Sequence, residues 1–199
     1  MSAEEKARIR REVLARRDAE PDREAKSATI VQRILALPEY ARAATVATYV
    51  GVKSEVATLP IITHALAARK RVVVPIVAND GLRLIRIDAV GELEPAKFGL
   101  LEPGPALQER ADRRVQPTEV GLYLVPGVAF DHRGGRVGYG KGYYDRLLAK
   151  ARPGTATVAL AFECQVIPQV PMGPGDTHIR MLATELRLYA FDRVHHRGR

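Results

Sequence analysis

The chain contains no tryptophan and a single cysteine, and only seven of its 31 cations are lysine. With Cys164 alone, no intrachain disulfide can form. The sequence is therefore not a disulfide scaffold, and a cytoplasmic setting is expected. No stretch approaches the roughly 18 consecutive apolar residues that span a bilayer, so no membrane helix is expected. The opening segment, MSAEEKARIRREVLARR, has no apolar core and does not read as a secretory leader. No internal repeat or low-complexity linker interrupts the chain. A continuous basic stripe is also missing, because nine cations in residues 1–40 face eight acids. That absence argues against a nucleic-acid-binding module, which needs such a stripe.

What is present is the composition of an ordinary globular domain. The 199 residues are 46% hydrophobic and 27% charged. The length fits one domain, read as residues 1–192, followed by a ragged basic tail at 193–199 of the kind that is often disordered. Cations outnumber acids by 31 to 23, a net charge of +8. Arginine solvating the surface accounts for part of this excess. The local part lies in residues 131–152, where six cations face two acids.

The first 36 residues read as two helices. Ser2 and Glu5 fit a capping box, and Ile9, Val13 and Leu14 give the first helix an apolar face ending near Ala19. Glu20-Pro21 opens the second, with Ala28, Val31, Ile34 and Leu35 at helical spacing. Apolar runs at 45–50, 71–77, 82–88, 122–125, 157–162 and 186–191 read as strands. Residues 58–69 and 140–150 read as helices between them. Strands alternating with helices predict a three-layer α/β fold: a mostly parallel sheet flanked by helices, with the N-terminal helical pair packed outside.

The segment LVPGVAFDHRGGRVGYGKGYYDRLLAK, residues 124–150, carries the chemistry. A strand leads into a loop holding Gly134, Gly135, Gly138, Gly140 and Gly142, and the loop opens a helix. Glycines let backbone N–H groups approach an anion closely, and a helix start adds unpaired donors. Together they outline a phosphate site. Residues 135–141 nearly satisfy the P-loop pattern, but Gly142 stands where Ser or Thr would ligate magnesium. Asp145, one turn on, is the candidate to supply that oxygen. Tyr139, Tyr143 and Tyr144 beside the loop suit a flat, polar partner as well as a nucleotide.

GRVGYGKGYYDR, residues 135–146, resembles the signature of the 5-formyltetrahydrofolate cyclo-ligase family. The resemblance extends further. Lys6 to Arg10 is similar to the family's opening Lys-x-x-x-Arg helix, and residues 40–58 to its first strand and substrate-binding Glu. FGLLEP at 98–103 is similar to its FGxxEP loop, and the similarity runs from about residue 6 to about residue 186.

The resemblance implies an enzyme that uses ATP and Mg²⁺ to convert 5-formyltetrahydrofolate into 5,10-methenyltetrahydrofolate, releasing ADP and phosphate. ATP would be the co-substrate, held by Lys6, Arg10 and the loop residues Arg136, Val137, Gly138, Tyr139, Gly140, Lys141, Gly142, Tyr143 and Tyr144. Lys141 is the leading catalytic candidate for neutralising the transferred phosphoryl group, together with Arg136. Val50, Glu55 and Phe98 would contact the folate, bordered by Tyr139, Gly140, Lys141, Gly142 and Tyr143. Asp145 would hold the metal. The folate, polyglutamylated or not, is the only partner implied; a monomer is expected, with no nucleic acid and no membrane.

One departure stands out. Many relatives carry an acid a few residues before the Thr-Glu near the last strand, and here Arg180 falls at that place with Asp176 upstream. The departure motivates an alternative, a non-catalytic relative that binds folate or nucleotide and regulates something else. His132 sits next to the loop but reads as exposed. Cys164 reads as a small buried group and not a nucleophile.

Overall fold

The computed structural model describes residues 3–79, 81–96 and 99–191. The Ser2 cap, the Phe98 contact and the tail at 193–199 lie outside the described residues. In chain order the elements begin with α1 (Ala3–Asp18), α2 (Arg23–Leu35), α3 (Pro38–Arg42), β1 (Thr45–Thr48), α4 (Leu59–Ala67), β2 (Arg71–Ala78) and β3 (Gly81–Ile87). Next come β4 (Leu93–Pro95), β5 (Leu101–Pro103), α5 (Pro105–Glu109), β6 (Arg114–Val115) and β7 (Leu122–Val125). The chain continues with β8 (Ala129–Phe130), β9 (Arg136–Val137), α6 (Tyr143–Ala149), β10 (Ala156–Leu160), β11 (Met181–Ala183) and β12 (Leu188–Ala190). No helix among the described residues is long and apolar enough to cross a membrane.

The main sheet has the order β12-β11-β10-β7-β1-β2-β3-β6. The five strands from β11 to β2 are parallel, and β12, β3 and β6 add antiparallel edges. The fold is α/β with a mostly parallel sheet, as the alternation of elements predicts. Side chains alternate between its faces with the strand period of two. Val46, Val72, Val74, Leu122, Leu124, Val158 and Leu160 join one core with Ile30, Ile34, Ile61 and Ile62 of α2 and α4. Ala47, Val73, Tyr123, Val125 and Ala159 join a second core with Leu147 and Leu148 of α6. Both faces are covered, which is why the central strands read as nearly continuous apolar runs. Of the N-terminal pair expected outside the layers, α2 instead joins the first core through Ile30, Val31 and Ile34, and only α1 covers neither core. Its Ile9 and Val13 pack on Val128, Ala129, Val137 and Val170 at the β8–β9 hairpin.

Two crossovers leave β1 and β7 in opposite directions. From β1 the chain returns through α4 to β2, and from β7 it returns through α6 to β10 on the other side. Right-handed crossovers running outward both ways must place their helices on opposite faces. The sheet thus has a switch point between β1 and β7, with a crevice beyond the carboxyl ends of those strands.

The segment read as one glycine loop is in fact two. Arg136 and Val137 form β9, which pairs with Ala129 and Phe130. Gly134 and Gly135 therefore serve the hairpin turn, and only Gly138, Gly140 and Gly142 lie before α6. The hairpin turn needs its glycines for packing: a Cβ on Gly134 would sit 2.5 Å from the Ile179 carbonyl oxygen. Asp131, 1% exposed, anchors the turn. Its Oδ1 accepts from the Arg133 and Gly135 amides at 2.9 Å each, and its Oδ2 from the Val170 amide at 2.8 Å. Burial opposes ionisation of this carboxyl, but the three amides and Arg133 outweigh it and hold its pKa below the ordinary value.

Replacing Asp131 with Ala leaves three amides unsatisfied and is expected to cost about 3 kcal/mol, read as a lowered denaturant midpoint. The depressed folded pKa fixes the sign of the pH effect. The stabilisation is present above the unfolded value of 3.8 and fades as pH falls below it, so wild type and variant should converge in strong acid.

Candidate active site

The first wall of the site is the turn after β1. Thr58 cinches it, donating from Oγ1 to the Tyr49 carbonyl at 2.6 Å and accepting from the Gly51 amide at 3.0 Å. Gly51 is obligatory, because a Cβ there would sit 2.2 Å from the Val56 carbonyl oxygen. The turn presents Glu55, whose Oε2 accepts from the Val52 amide at 3.1 Å. With Val74, Pro75 and Val77 of β2, Pro126 after β7 and Leu14 and Arg17 of α1, the turn residues Val50, Val52, Ser54 and Glu55 line a cavity of about 490 Å³. Pro75 is tolerated in β2 because the β1 partners end at Val73, so no amide is missed on that side.

A second cavity of about 730 Å³ adjoins it. Lys6, Arg10 and every residue from Arg136 to Asp145 line it, together with Asp176. Val77, Leu100, Pro126, Tyr139, Tyr143 and Tyr144 line both cavities, so the two chambers meet at a wall of three tyrosines. Of the residues the sequence assigns to folate, Val50, Glu55, Tyr139 and Tyr143 line the smaller chamber. Gly140, Lys141 and Gly142 line the larger one only.

Helix α1 runs along both chambers. Lys6 forms an ion pair with Asp176, whose Oδ2 also accepts from the Gly173 amide at 2.7 Å. Burial opposes ionisation of Asp176, but Lys6 and that amide outweigh it and keep its pKa below the ordinary value. One turn on, Arg10 Nε donates to the Gly138 carbonyl at 2.8 Å. The Arg10 guanidinium lies against Gly140, at φ 99°, where a Cβ would meet its Cζ at 3.4 Å. Two turns further, Arg17 donates from Nε to Ser54 Oγ and from Nη1 to the Tyr139 hydroxyl, both at 3.0 Å. Each hydroxyl in turn donates a hydrogen bond to a carboxylate at 2.5 Å, Ser54 to Asp18 and Tyr139 to Glu55. Burial and the Glu55 charge push the Tyr139 pKa well up, so its hydroxyl stays a donor. Burial does the same for Tyr49 and Tyr144.

Arg136 is 5% exposed. Its Nη2 donates to Asp145 Oδ1 at 2.8 Å, while its buried Nε has no partner among the described residues. Asp145 Oδ1 also accepts from the Thr177 amide at 3.1 Å, and Oδ2 accepts no bond from the described residues. Lys141 is exposed on the chamber rim. Among the described residues no cluster of three or more His, Cys, Asp or Glu could cage a metal. Asp145 and Asp176 suit instead a hard cation that takes most of its oxygens from phosphate and water.

A model of the 5-formyltetrahydrofolate cyclo-ligase family matches residues 2–185. The chain belongs to that family. The cyclo-ligase is similar to the 5-formyltetrahydrofolate cyclo-ligase of Mycolicibacterium smegmatis, 28% identical over 94% of this chain and 97% of the relative. It is also similar to the probable 5-formyltetrahydrofolate cyclo-ligase of Schizosaccharomyces pombe, 29% identical over 81% of this chain and 84% of the relative. The NMR structure of the 5,10-methenyltetrahydrofolate synthetase of Aquifex aeolicus superposes with a TM-score of 0.79 at 31% identity. That match covers 97% of this chain and 99% of the other.

Sequence reasoning about the cyclo-ligase missed Arg17, Asp18, Ser54 and Tyr49. A signal for Arg17 was available, since it follows Arg10 and Val13 on one helix face and so puts a cation on the apolar stripe. Asp176, noted in the sequence only as the acid upstream of Arg180, lines the site. Arg180 does not. It precedes β11, at the amino end of the parallel strands, beside Glu39 and Arg42. The departure at Arg180 therefore does not touch the chambers. His132 is exposed on the hairpin turn, with its ring 5.0 Å from Tyr189. Burial, with Glu20 beside it, raises the Cys164 pKa to about 12, so the thiol stays protonated and unreactive.

Proposed function

We propose that this cyclo-ligase converts 5-formyltetrahydrofolate to 5,10-methenyltetrahydrofolate at the expense of ATP in the presence of Mg²⁺. Family membership carries the coarser statement, a 5-formyltetrahydrofolate cyclo-ligase. The finer reading rests on one observation: a chamber that presents Glu55 and a basic chamber lined by Lys6, Arg10, Arg136 and Lys141 share the wall formed by Tyr139, Tyr143 and Tyr144. A reaction in which a folate oxygen attacks a terminal phosphate needs two such chambers in contact.

The chemistry follows from the substrate. A formamide carbon is a poor electrophile, because N5 donates into the carbonyl. The formyl oxygen attacks the γ-phosphorus of ATP, and the bond to the β–γ bridging oxygen breaks to release ADP. The phosphorylated oxygen is now a leaving group. The N10 lone pair attacks the formyl carbon, the carbon–oxygen bond breaks, phosphate departs, and the N10 proton is lost to give the methenyl bridge. The protein's task in such a transfer is positioning and charge neutralisation.

Glu55 offers carboxylate lone pairs to the pteridine's amino and ring N–H donors, with Val50 against the ring. Lys6, Arg10 and the amides at 136–144 hold the triphosphate. Arg136 and Lys141 face the transferred group, Arg136 fixed by Asp145 and Lys141 free to follow the phosphorus. The free Oδ2 of Asp145 and the neighbouring Asp176 would hold the magnesium ion, which when bound neutralises phosphate charge. A cytoplasmic, monomeric enzyme, with a polyglutamyl tail attracted to the cations of residues 131–152, completes the proposal.

Purified protein should produce the near-ultraviolet absorbance of methenyltetrahydrofolate only when 5-formyltetrahydrofolate, ATP and Mg²⁺ are all present. No product under those conditions would end the proposal. Lys141→Ala should lower kcat by at least about 100-fold with an unchanged melting temperature, because the side chain is exposed. A normally active variant would remove Lys141 from phosphoryl transfer. Asp145→Asn should raise the Mg²⁺ concentration for half-maximal rate, and an unchanged magnesium profile would exclude metal binding there.

A further inference from the structure

Arg17 carries more donors than the fold uses. It is 4% exposed, and among the described residues no carboxylate lies within ion-pairing distance of its guanidinium. Its Nε and Nη1 each spend one donor, on Ser54 and on Tyr139. A guanidinium has five N–H groups, so three are left, two of them on Nη2. Nη2 makes no hydrogen bond with any described residue, yet the side chain lines the smaller chamber. A buried charge with unspent donors is costly unless something in the cavity accepts from it.

The neighbouring groups say what that acceptor is. The Tyr139 hydroxyl bridges Arg17 to Glu55, so the cation and the carboxylate sit two hydrogen bonds apart on one wall. Glu55 has used one lone pair on Tyr139 and one on the Val52 amide, which leaves acceptor capacity on both oxygens. The wall therefore offers acceptors at Glu55 and a donor at Arg17, side by side. A 2-amino-4-oxopteridine presents the complement along one edge: an amino donor, a ring N–H donor and a carbonyl acceptor.

We propose that Arg17 donates to the 4-oxo group of the bound pteridine and so selects 4-oxo over 4-amino rings. The inference rests on the folate reading above and adds a residue to it. Arg17 then has two tasks: it holds Tyr139 and Ser54 in place, and it reads the substrate. A site built to donate to an oxygen rejects a ring that brings an amino group there, because two donors then face each other unpaired.

Binding is measured by calorimetry without ATP, on the full chain, with 5-formyltetrahydrofolate and its 4-amino-4-deoxy analogue. Arg17→Gln should weaken the 4-oxo compound by at least about 30-fold, in line with a hydrogen bond to a charged group, and the 4-amino compound by less than threefold. Equal weakening of both, or of neither, would reduce Arg17 to a strut and overturn the assignment. Should the Gln variant not fold, a 5-formyltetrahydrofolate labelled with ¹³C at C4 tests wild type directly. A downfield C4 shift on binding supports the contact, and an unshifted resonance overturns it. Wild-type protein that binds neither compound would overturn the folate reading itself, and Arg17's role with it.

Discussion

The site depends on a reversal between two adjacent strands. From β1 the chain crosses to one face of the sheet, and from β7 it crosses to the other. Handedness then forbids a helix over the carboxyl ends of this pair, and a crevice is left between the layers. The Glu55 turn, Pro126 and the glycine loop all sit at that crevice because they are the first residues to leave those strands or to return to the helix beyond. Other parts of the fold, including the two cores, hold this opening at fixed width.

Helix α1 converts the crevice into chambers. It adds little to the main cores and instead rides on the β8–β9 hairpin. Its polar side chains at residues 6, 10 and 17 each reach a different segment: Asp176, the Gly138 loop, and the Ser54 and Tyr139 hydroxyls. Two of its cations act through backbone or hydroxyl partners and not through direct ion pairs. Hydroxyl relays spread the Arg17 charge toward Asp18 and Glu55 without letting either carboxylate neutralise it outright. The cation stays available to an incoming ligand.

Much of this was legible in the sequence, and the failures have physical causes. The runs of β1, β2, β7 and β10 were strands whose burial on both faces leaves little room for polar residues, whereas β3 and β12 carry half-buried or exposed residues; in all six at most the ends moved. The strand β11 escaped notice because three residues, Met181–Ala183, are too few to show a period. The glycine segment misled for a different reason. Five glycines in a row of nine suggest one loop, but glycine is equally required where backbones crowd, and Gly134 and Gly135 are there for the hairpin around Asp131. The motif residues from Arg136 to Asp145 did converge, since they are contiguous. The partners of Asp176 and Ser54 could not be read from local pattern, because they lie 170 and 37 residues away in the chain. Side-chain contacts over such separations are set by topology, which local pattern does not carry.

The ion pair of Lys6 with Asp176, the seat of Arg10 on Gly140 and the hydroxyl relay of Arg17 lie on one rigid rod of about four turns. Whatever tilts that rod moves all three contacts at once, at distances fixed by the helix pitch. The two chambers therefore share one wall element. A ligand that settles against Arg17 at one end rests on the same helix that seats Arg10 on the glycine loop at the other.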